Sequence, residues 1–127
     1  MANRPSRKPT PSELEILRVL WERGPSTVRE VHEALSAKKP IGYTSVLKFM
    51  QIMTTKGTVR RDEERRAHVY EAVQPAEKTK RQLAADVLQR VFGGSASQLM
   101  MHTLAGRKTS PEEIEAIRRL LNEYEGK

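Results

Sequence analysis

The sequence predicts a mainly α-helical protein with one small β-hairpin. At three places a Ser or Thr is followed three residues later by Glu, ahead of an apolar periodic run, which is the signature of a helix start. Only residues 58–73 have a strand-like pattern. With 127 residues, the chain has the length of one compact domain, or of one domain with an added oligomerisation region.

Composition narrows the class of function. The chain has no cysteine, which excludes disulfides, thiolate nucleophiles and cysteine-ligated zinc. It shows no transmembrane-length apolar run and no signal-peptide pattern, so we expect a cytoplasmic protein that does not bind membranes. The formal net charge is +7, and residues 38–66 alone hold 8 Lys/Arg against 3 Asp/Glu, a net of +5. A polyanion is the natural partner of such a surface, although many small proteins are basic for solubility alone.

The chain opens with an Arg-, Lys- and Pro-rich stretch, residues 1–9, which we predict to be a disordered basic arm. The first helix begins after Thr10, which is expected to form a capping box with Glu13, and it ends before Gly24. Its apolar side chains recur at helical spacing: Leu14, Leu17, Leu20 and Trp21.

The second and third helices follow with equally clear boundaries. Thr27 and Glu30 form a second predicted capping box, with Ser26 as the alternative cap. The third helix is predicted over residues 43–56, because Gly57 stands where a glycine commonly ends a helix. Its expected buried stripe consists of Val46, Leu47, Met50 and Met53.

Two short strands, at about 58–62 and 67–73, are predicted after the third helix. Val59 is expected to face Val69 and Tyr70 across the hairpin. Because two strands alone are marginally stable, this hairpin must pack on the helices. Three helices followed by such a hairpin are the order of a winged helix-turn-helix DNA-binding domain, which we therefore predict over residues 10–75.

The third helix is the candidate DNA-reading element. A helix fits the major groove of B-DNA, where the side chains of its first turns reach base edges. The candidate contacts, chosen for their hydroxyl, amide and ammonium groups, are Tyr43, Thr44, Ser45, Lys48 and Gln51. Two alternatives stay open at this point: Thr44 or Ser45 caps the helix, and Tyr43 closes the small core.

Arginines cluster on the hairpin, which would be the wing of the domain. A guanidinium group matches the geometry of phosphate oxygens, so the candidate backbone contacts are Arg60, Arg61, Arg65 and Arg66. The same turn contains Asp62, Glu63 and Glu64, which could instead pair with the arginines as a solvated turn. We expect two of the four arginines to contact the DNA backbone.

After residue 75 only helical patterns occur, at about 76–92, at 95–105 and after a third predicted capping box from Ser110 to Glu113. Three short helices cannot bury their apolar stripes within one chain. The simplest way to bury them is to pack them against the same helices of a second copy. Residues 76–127 are therefore predicted to be a helical dimerisation region that makes the protein a homodimer. The expected interface residues are Leu83, Val87, Val91, Leu99, Ile114, Ile117, Leu120, Leu121 and Tyr124.

No catalytic residue, cofactor or metal site is predicted. The histidines, His32, His68 and His102, are far apart and have no partner at metal-ligand spacing. The sequence also lacks a glycine-rich phosphate loop and any Ser/His/Asp constellation, so we do not expect an enzyme. A protein-interaction adaptor that uses the winged helix as a scaffold is the alternative from another functional class.

Several segments resemble a known family. TPSELEILRVLWERGPSTVREVHEAL, GYTSVL, FGGSASQLM and SPEEIEAIRRLLNE are similar to the penicillinase-repressor family (the BlaI/MecI/CopY group), and the resemblance covers about residues 9–124. It implies a homodimeric winged-helix repressor that binds a palindromic operator in double-stranded DNA. Recognition would involve helix 43–56 and the wing 58–73. It also implies a regulatory protease as a further partner of antibiotic-sensing members.

The chain departs from the family pattern in ways that bear on the release of repression. Antibiotic-sensing members are cut at an Asn-Phe pair, and His102-Thr103 stands there in this chain, so whether derepression is proteolytic stays open. Copper-sensing members carry a C-terminal cysteine motif, whereas this chain has no cysteine. In helix 43–56, KFMQIMTTKG replaces the usual polar stretch, which bears on core packing or operator choice.

Overall fold

A computed structural model describes residues 8–64 and 66–126 of the chain. These residues form six helices and three strands: α1 (Pro11–Arg23), β1 (Ser26–Thr27), α2 (Val28–Ser36), α3 (Tyr43–Lys56), β2 (Val59–Asp62), β3 (Val69–Ala72), α4 (Ala76–Arg90), α5 (Ala96–Ala105) and α6 (Pro111–Glu125). The chain divides into two compact units, one extending to Leu83 and one beginning at Ala84. Most of the predicted basic arm, residues 1–7, lies outside the described residues.

Reciprocal capping hydrogen bonds begin α1 and α2, as predicted. Glu13 N donates to Thr10 Oγ1 at 3.2 Å, and Thr10 N donates to Glu13 Oε1 at 3.3 Å. The corresponding distances between Thr27 and Glu30 are 3.1 and 2.9 Å. The N-cap of α2 is therefore Thr27 and not the alternative Ser26.

The third predicted capping box, at the start of α6, is only half formed. Glu113 N donates to Ser110 Oγ at 3.0 Å, as expected. The carboxylate of Glu113, however, accepts a hydrogen bond from Arg107 at 2.6 Å and not from the backbone of Ser110. A charge-assisted hydrogen bond to a guanidinium is stronger than one to a neutral N–H, so the carboxylate of Glu113 binds Arg107 and not the backbone of Ser110.

The sheet has three strands, one more than predicted. β3 lies between β1 and β2 and pairs antiparallel with both. β1 is two residues long, too short to show an alternating pattern in the sequence. The register places Val59 opposite Ala72, so the predicted pairing of Val59 with Val69 and Tyr70 is wrong. Val59 and Tyr70 are nevertheless both buried in the core.

One hydrophobic core lies between α1, α2, α3 and the sheet. It holds every buried apolar side chain of the described residues: Ile16, Leu17, Leu20, Val28, Val31, Leu35, Val46, Met50, Met53, Val59 and Tyr70. Trp21 packs against this cluster, and its indole Nε1–H donates to the carbonyl of Gln74 at 3.0 Å. This bond joins α1 to the segment after β3 and so helps to hold the hairpin against the helices.

Candidate nucleic-acid interface

The helix α3 has one buried face and one exposed face. Three side chains are completely buried at helical spacing: Val46, Met50 and Met53. Three polar side chains with the same spacing are exposed on the opposite side: Thr44, Lys48 and Gln51. The structure thus brings three of the five predicted α3 contacts into one stripe, the arrangement that a helix in the major groove needs.

The exposed stripe continues to Thr55, which was not among the predicted contacts. Thr55 lies four residues after Gln51, is exposed, and donates a hydrogen bond to the Gln51 carbonyl at 3.3 Å. The i+4 spacing from Gln51 was the signal that could have identified it. Successive residues are rotated by about 100° in a helix, so Tyr43 and Ser45, both exposed, lie on opposite flanks of the stripe.

The N-terminus of α3 decides the first alternative left open by the sequence. The N-cap is Gly42, and no side chain caps the helix. Thr44 and Ser45 are therefore not caps. Both side chains are exposed, and within residues 8–64 and 66–126 neither hydroxyl forms a hydrogen bond. Their hydroxyl groups are open to a partner outside the chain.

Tyr43 does not close the core, since 47% of it is exposed. Its ring packs edge-on against the ring of His32, with 5.8 Å between the centroids. His32 Nε2 lies 2.8 Å from the carbonyl oxygen of Ile41 and 3.0 Å from Ser36 Oγ. Because a carbonyl only accepts, this nitrogen carries a proton. The histidine therefore ties α2 to the connector and to the first residue of α3.

A buried ion pair anchors the other end of α3. Lys56 Nζ lies 2.8 Å from Glu13 Oε1, and the two side chains are 13% and 4% exposed. The same ammonium group donates to the carbonyl of Lys8 at 3.2 Å. Gly57 then ends the helix with φ 85°, in the left-handed region that favours glycine. The C-terminal end of α3 is thus held to the start of α1.

Acidic residues engage two of the four wing arginines. Arg60 Nε lies 3.0 Å from Glu71 Oε1, and the two residues are directly opposite each other in the sheet. Arg61 Nε donates to Glu63 Oε2 at 2.7 Å. Hydrogen bonding with Tyr70 and then with Glu63 raises the pKa of Arg61. Arg61 thus pairs with an acidic residue of the turn, as in the alternative in which the turn is only solvated. Arg60 instead pairs with a residue on the opposite strand of the hairpin.

The other two wing arginines differ from these. Arg66 is exposed, and within the described ranges 8–64 and 66–126 it forms no ion pair. Arg65 lies outside the described residues. Exposed ion pairs contribute only about 0–1 kcal/mol, so Arg60 can exchange its glutamate for a phosphate at small cost.

The nine predicted dimer-interface residues lie on α4, α5 and α6, or directly after α4, and none of them is buried. Four are partly exposed, namely Leu83, Leu99, Ile114 and Ile117. Five are exposed by 40% to 72%: Val87, Val91, Leu120, Leu121 and Tyr124. A groove of about 360 Å³ between α5 and α6 is lined largely by such apolar side chains. His102 and Thr103, on α5, are also exposed.

Two negative findings concern the described residues. No helix in this part of the chain is both long and apolar enough to cross a lipid bilayer. No group of three or more His, Cys, Asp or Glu side chains in it is placed to hold a metal ion.

Comparisons with known proteins place the chain in a family. The family model described as "Penicillinase repressor" matches residues 9–123. The chain is 36% identical over 108 residues to the protein named "Transcriptional regulator BlaI" of Mycobacterium tuberculosis strain H37Rv, and the match covers 84% of this chain and 77% of that protein. The same figures hold for the protein of that name in strain CDC 1551 / Oshkosh. The resemblance inferred from the sequence is thus confirmed. The chain belongs to the penicillinase repressor family, and it is a winged-helix, DNA-binding transcriptional repressor and not an enzyme.

Proposed function

We propose that this repressor binds a palindromic operator as a homodimer, with one α3 in each of two successive major grooves. The observation that carries the proposal is the exposed polar stripe of Thr44, Lys48 and Gln51, opposite the buried face of α3. These side chains can donate to and accept from base edges, and so would set sequence preference. Phosphate contacts would come from two of the four wing arginines, which are Arg60, Arg61, Arg65 and Arg66.

The exposed apolar surface of the C-terminal helices supports the dimer. Leu120, Leu121 and Tyr124 are 51%, 58% and 72% exposed and line one groove. A contiguous apolar patch of this kind marks a protein–protein interface. A second copy is the expected occupant, because a palindromic site is matched by a two-fold symmetric reader. We propose residues 76–127 as the dimerisation region, and the cytoplasm as the location, since the operator lies there.

Two duplexes test whether α3 sets the sequence preference while the wing binds phosphates. One is selected from a random pool, and the other is a scrambled duplex. Lys48→Ala and Thr44→Ala are expected to weaken binding to the selected duplex about tenfold more than to the scrambled one, since a good base contact contributes about 1–3 kcal/mol. Arg66→Ala should weaken both alike. Lys78→Ala, an exposed lysine of α4, is the matched control for Lys48. Equal losses on both duplexes for all three variants would contradict the proposal.

The dimer is tested by sedimentation equilibrium of the full chain. The wild type should be a dimer, and Leu121→Asp should yield a monomer that keeps its helical circular dichroism, because a buried aspartate without a partner is costly. A wild-type monomer at the concentrations that saturate the operator would contradict the proposal.

If duplex binding were absent or insensitive to salt, the adaptor alternative would be favoured. Sedimentation equilibrium also tests whether proteolysis releases repression, because a cut in α5 would separate α6 from the DNA-binding unit.

A further inference from the structure

The two sides of the hairpin differ in charge. On one side is a cleft of about 620 Å³, where Arg60 and Arg61 stand among four carboxylates: Glu30, Asp62, Glu64 and Glu71. On the other side is a cleft of about 550 Å³ between the hairpin, the first turn of α2 and α3, which we call the α2–wing cleft. Among the described residues, its lining includes two arginines and one histidine, Arg29, Arg66 and His68, and no Asp or Glu.

Arg29 and Arg66 reach the α2–wing cleft from different elements. Arg29 is in the first turn of α2, and Arg66 is in the hairpin turn. Both are exposed, and neither forms an ion pair within the described stretches 8–64 and 66–126. Arg60 and Arg61, in contrast, each already hold a carboxylate. Of these four arginines, the two without a carboxylate, Arg29 and Arg66, are thus the ones that line the α2–wing cleft.

We propose that the α2–wing cleft, and not the opposite side of the hairpin, holds the DNA backbone, with Arg29 and Arg66 binding phosphates from its two sides. A strand placed on the opposite side would meet four carboxylates, and that like-charge contact is unfavourable. In the α2–wing cleft it would meet two planar guanidinium forks, the geometry that suits phosphate oxygens.

The placement also agrees with the position of α3. Tyr43 and Leu47 line the α2–wing cleft, and Tyr43 flanks the exposed stripe at Thr44. A backbone in the cleft therefore runs beside the side chains proposed to read the bases. The inference rests on the proposed function. It adds Arg29, which was not among the DNA contacts predicted from the sequence.

The test measures how binding of the full chain to a fluorescently labelled duplex of random sequence depends on salt. The slope of log K against log salt concentration counts the phosphates that the protein neutralises. Arg29→Gln and Arg66→Gln are each expected to lower the magnitude of this slope by about 1 per bound protomer, with weaker binding at every salt concentration. Arg29→Lys keeps the charge and is expected to keep the wild-type slope.

Arg18→Gln is the matched control. Arg18 is an exposed arginine of α1 that lines a separate crevice with Glu15 and Glu22, so this variant should keep the wild-type slope. Arg60→Gln should lower the slope by less than Arg29→Gln does, because Arg60 lies on the acidic side of the hairpin.

Three outcomes would overturn the inference: a wild-type slope for Arg29→Gln, a slope change for Arg60→Gln at least as large as that for Arg29→Gln, or equal losses for Arg29→Lys and Arg29→Gln. Circular dichroism checks the fold of each variant, and Arg66→Gln, in an exposed turn, carries the test if Arg29→Gln does not fold. If the wild type itself bound duplex DNA without salt dependence, the proposed function would fail, and the two failures are therefore distinguishable.

Discussion

Replacing Lys56 by methionine is expected to destabilise the N-terminal unit by about 3–5 kcal/mol. The ammonium of Lys56 lies 2.8 Å from a Glu13 carboxylate that is only 4% exposed. Methionine keeps most of the side-chain volume but removes the charge. Among the described residues, the buried carboxylate then keeps one hydrogen bond, from the backbone N–H of Thr10.

The magnitude follows from two opposing contributions. At 2.8 Å and an effective dielectric constant of about 20, the attraction between the two charges is about 6 kcal/mol. Desolvation of both groups offsets much of this, so the intact pair adds little net stability. Removing only the lysine deletes the attraction and keeps the desolvation of Glu13. Glu13→Gln should cost less, about 1–2 kcal/mol, because the amide oxygen still accepts a hydrogen bond and the lysine can extend toward water.

Urea unfolding followed by the fluorescence of Trp21 measures this effect. Trp21 is the only tryptophan of the chain, and its indole is bonded to Gln74 in the same unit as the ion pair. The variant should show a lower midpoint with an unchanged m-value. Protein concentration is kept constant, because association shifts apparent stability by mass action.

Lys39→Met provides the matched control. Lys39 Nζ lies 2.7 Å from Glu15 Oε1, but these side chains are 48% and 42% exposed, so the loss should be only about 0–1 kcal/mol. The two pairs have almost equal lengths and differ in burial, and the comparison therefore isolates desolvation. The reasoning is refuted if Lys56→Met costs no more than Lys39→Met, or if the cycle combining Lys56→Met with Glu13→Gln gives a coupling below about 0.5 kcal/mol.

The remaining predictions concern one backbone position and one carboxylate. Gly57→Ala should cost about 1 kcal/mol in the same urea assay, because φ is 85° although no atom lies within 4 Å of an added Cβ. Gly42→Ala, also without a neighbour but with φ −77°, involves no left-handed backbone and should cost less than Gly57→Ala, and equal losses would contradict the backbone explanation. The backbone N–H of Thr27 lowers the pKa of Glu30, so this carboxylate contributes stability above its unfolded-state pKa and loses it as the pH falls through the lowered pKa. The stability difference between the wild type and Glu30→Gln, followed against pH, should therefore shrink in acid, and a difference that stays constant would argue against it.

Sequence reasoning predicted the helices well because their signals are local. Capping pairs such as Thr10 and Glu13 lie within one turn, and the glycine at position 57 directly follows the helix that it ends. The bounds of α3, Tyr43–Lys56, therefore agree with the prediction. The strand β1 was missed and the pairing of Val59 was wrong, because both depend on residues more than ten positions away.

For the candidate site too, the sequence showed the features that depend on short spacing but not those that depend on the fold. The spacing of Thr44, Lys48 and Gln51 along one helix is visible in the sequence, since a helix converts spacing directly into a shared face. The partners of the arginines are not visible, because Arg60 meets Glu71 only through strand register. Arg29 lies thirty-seven positions before Arg66, and only the fold lines one cleft with both.

The sequence by itself determined the family, the order of the elements and the polar face of α3, because each is encoded in residue types at short spacing. The tertiary structure alone decided which cations hold a carboxylate and which do not. It placed Lys56 on Glu13 across forty-three positions, and it gave the hairpin one acidic and one basic side. The physical reason is that electrostatic interactions depend on distance and burial in space, and chain separation carries no information about either until the fold brings the charges together.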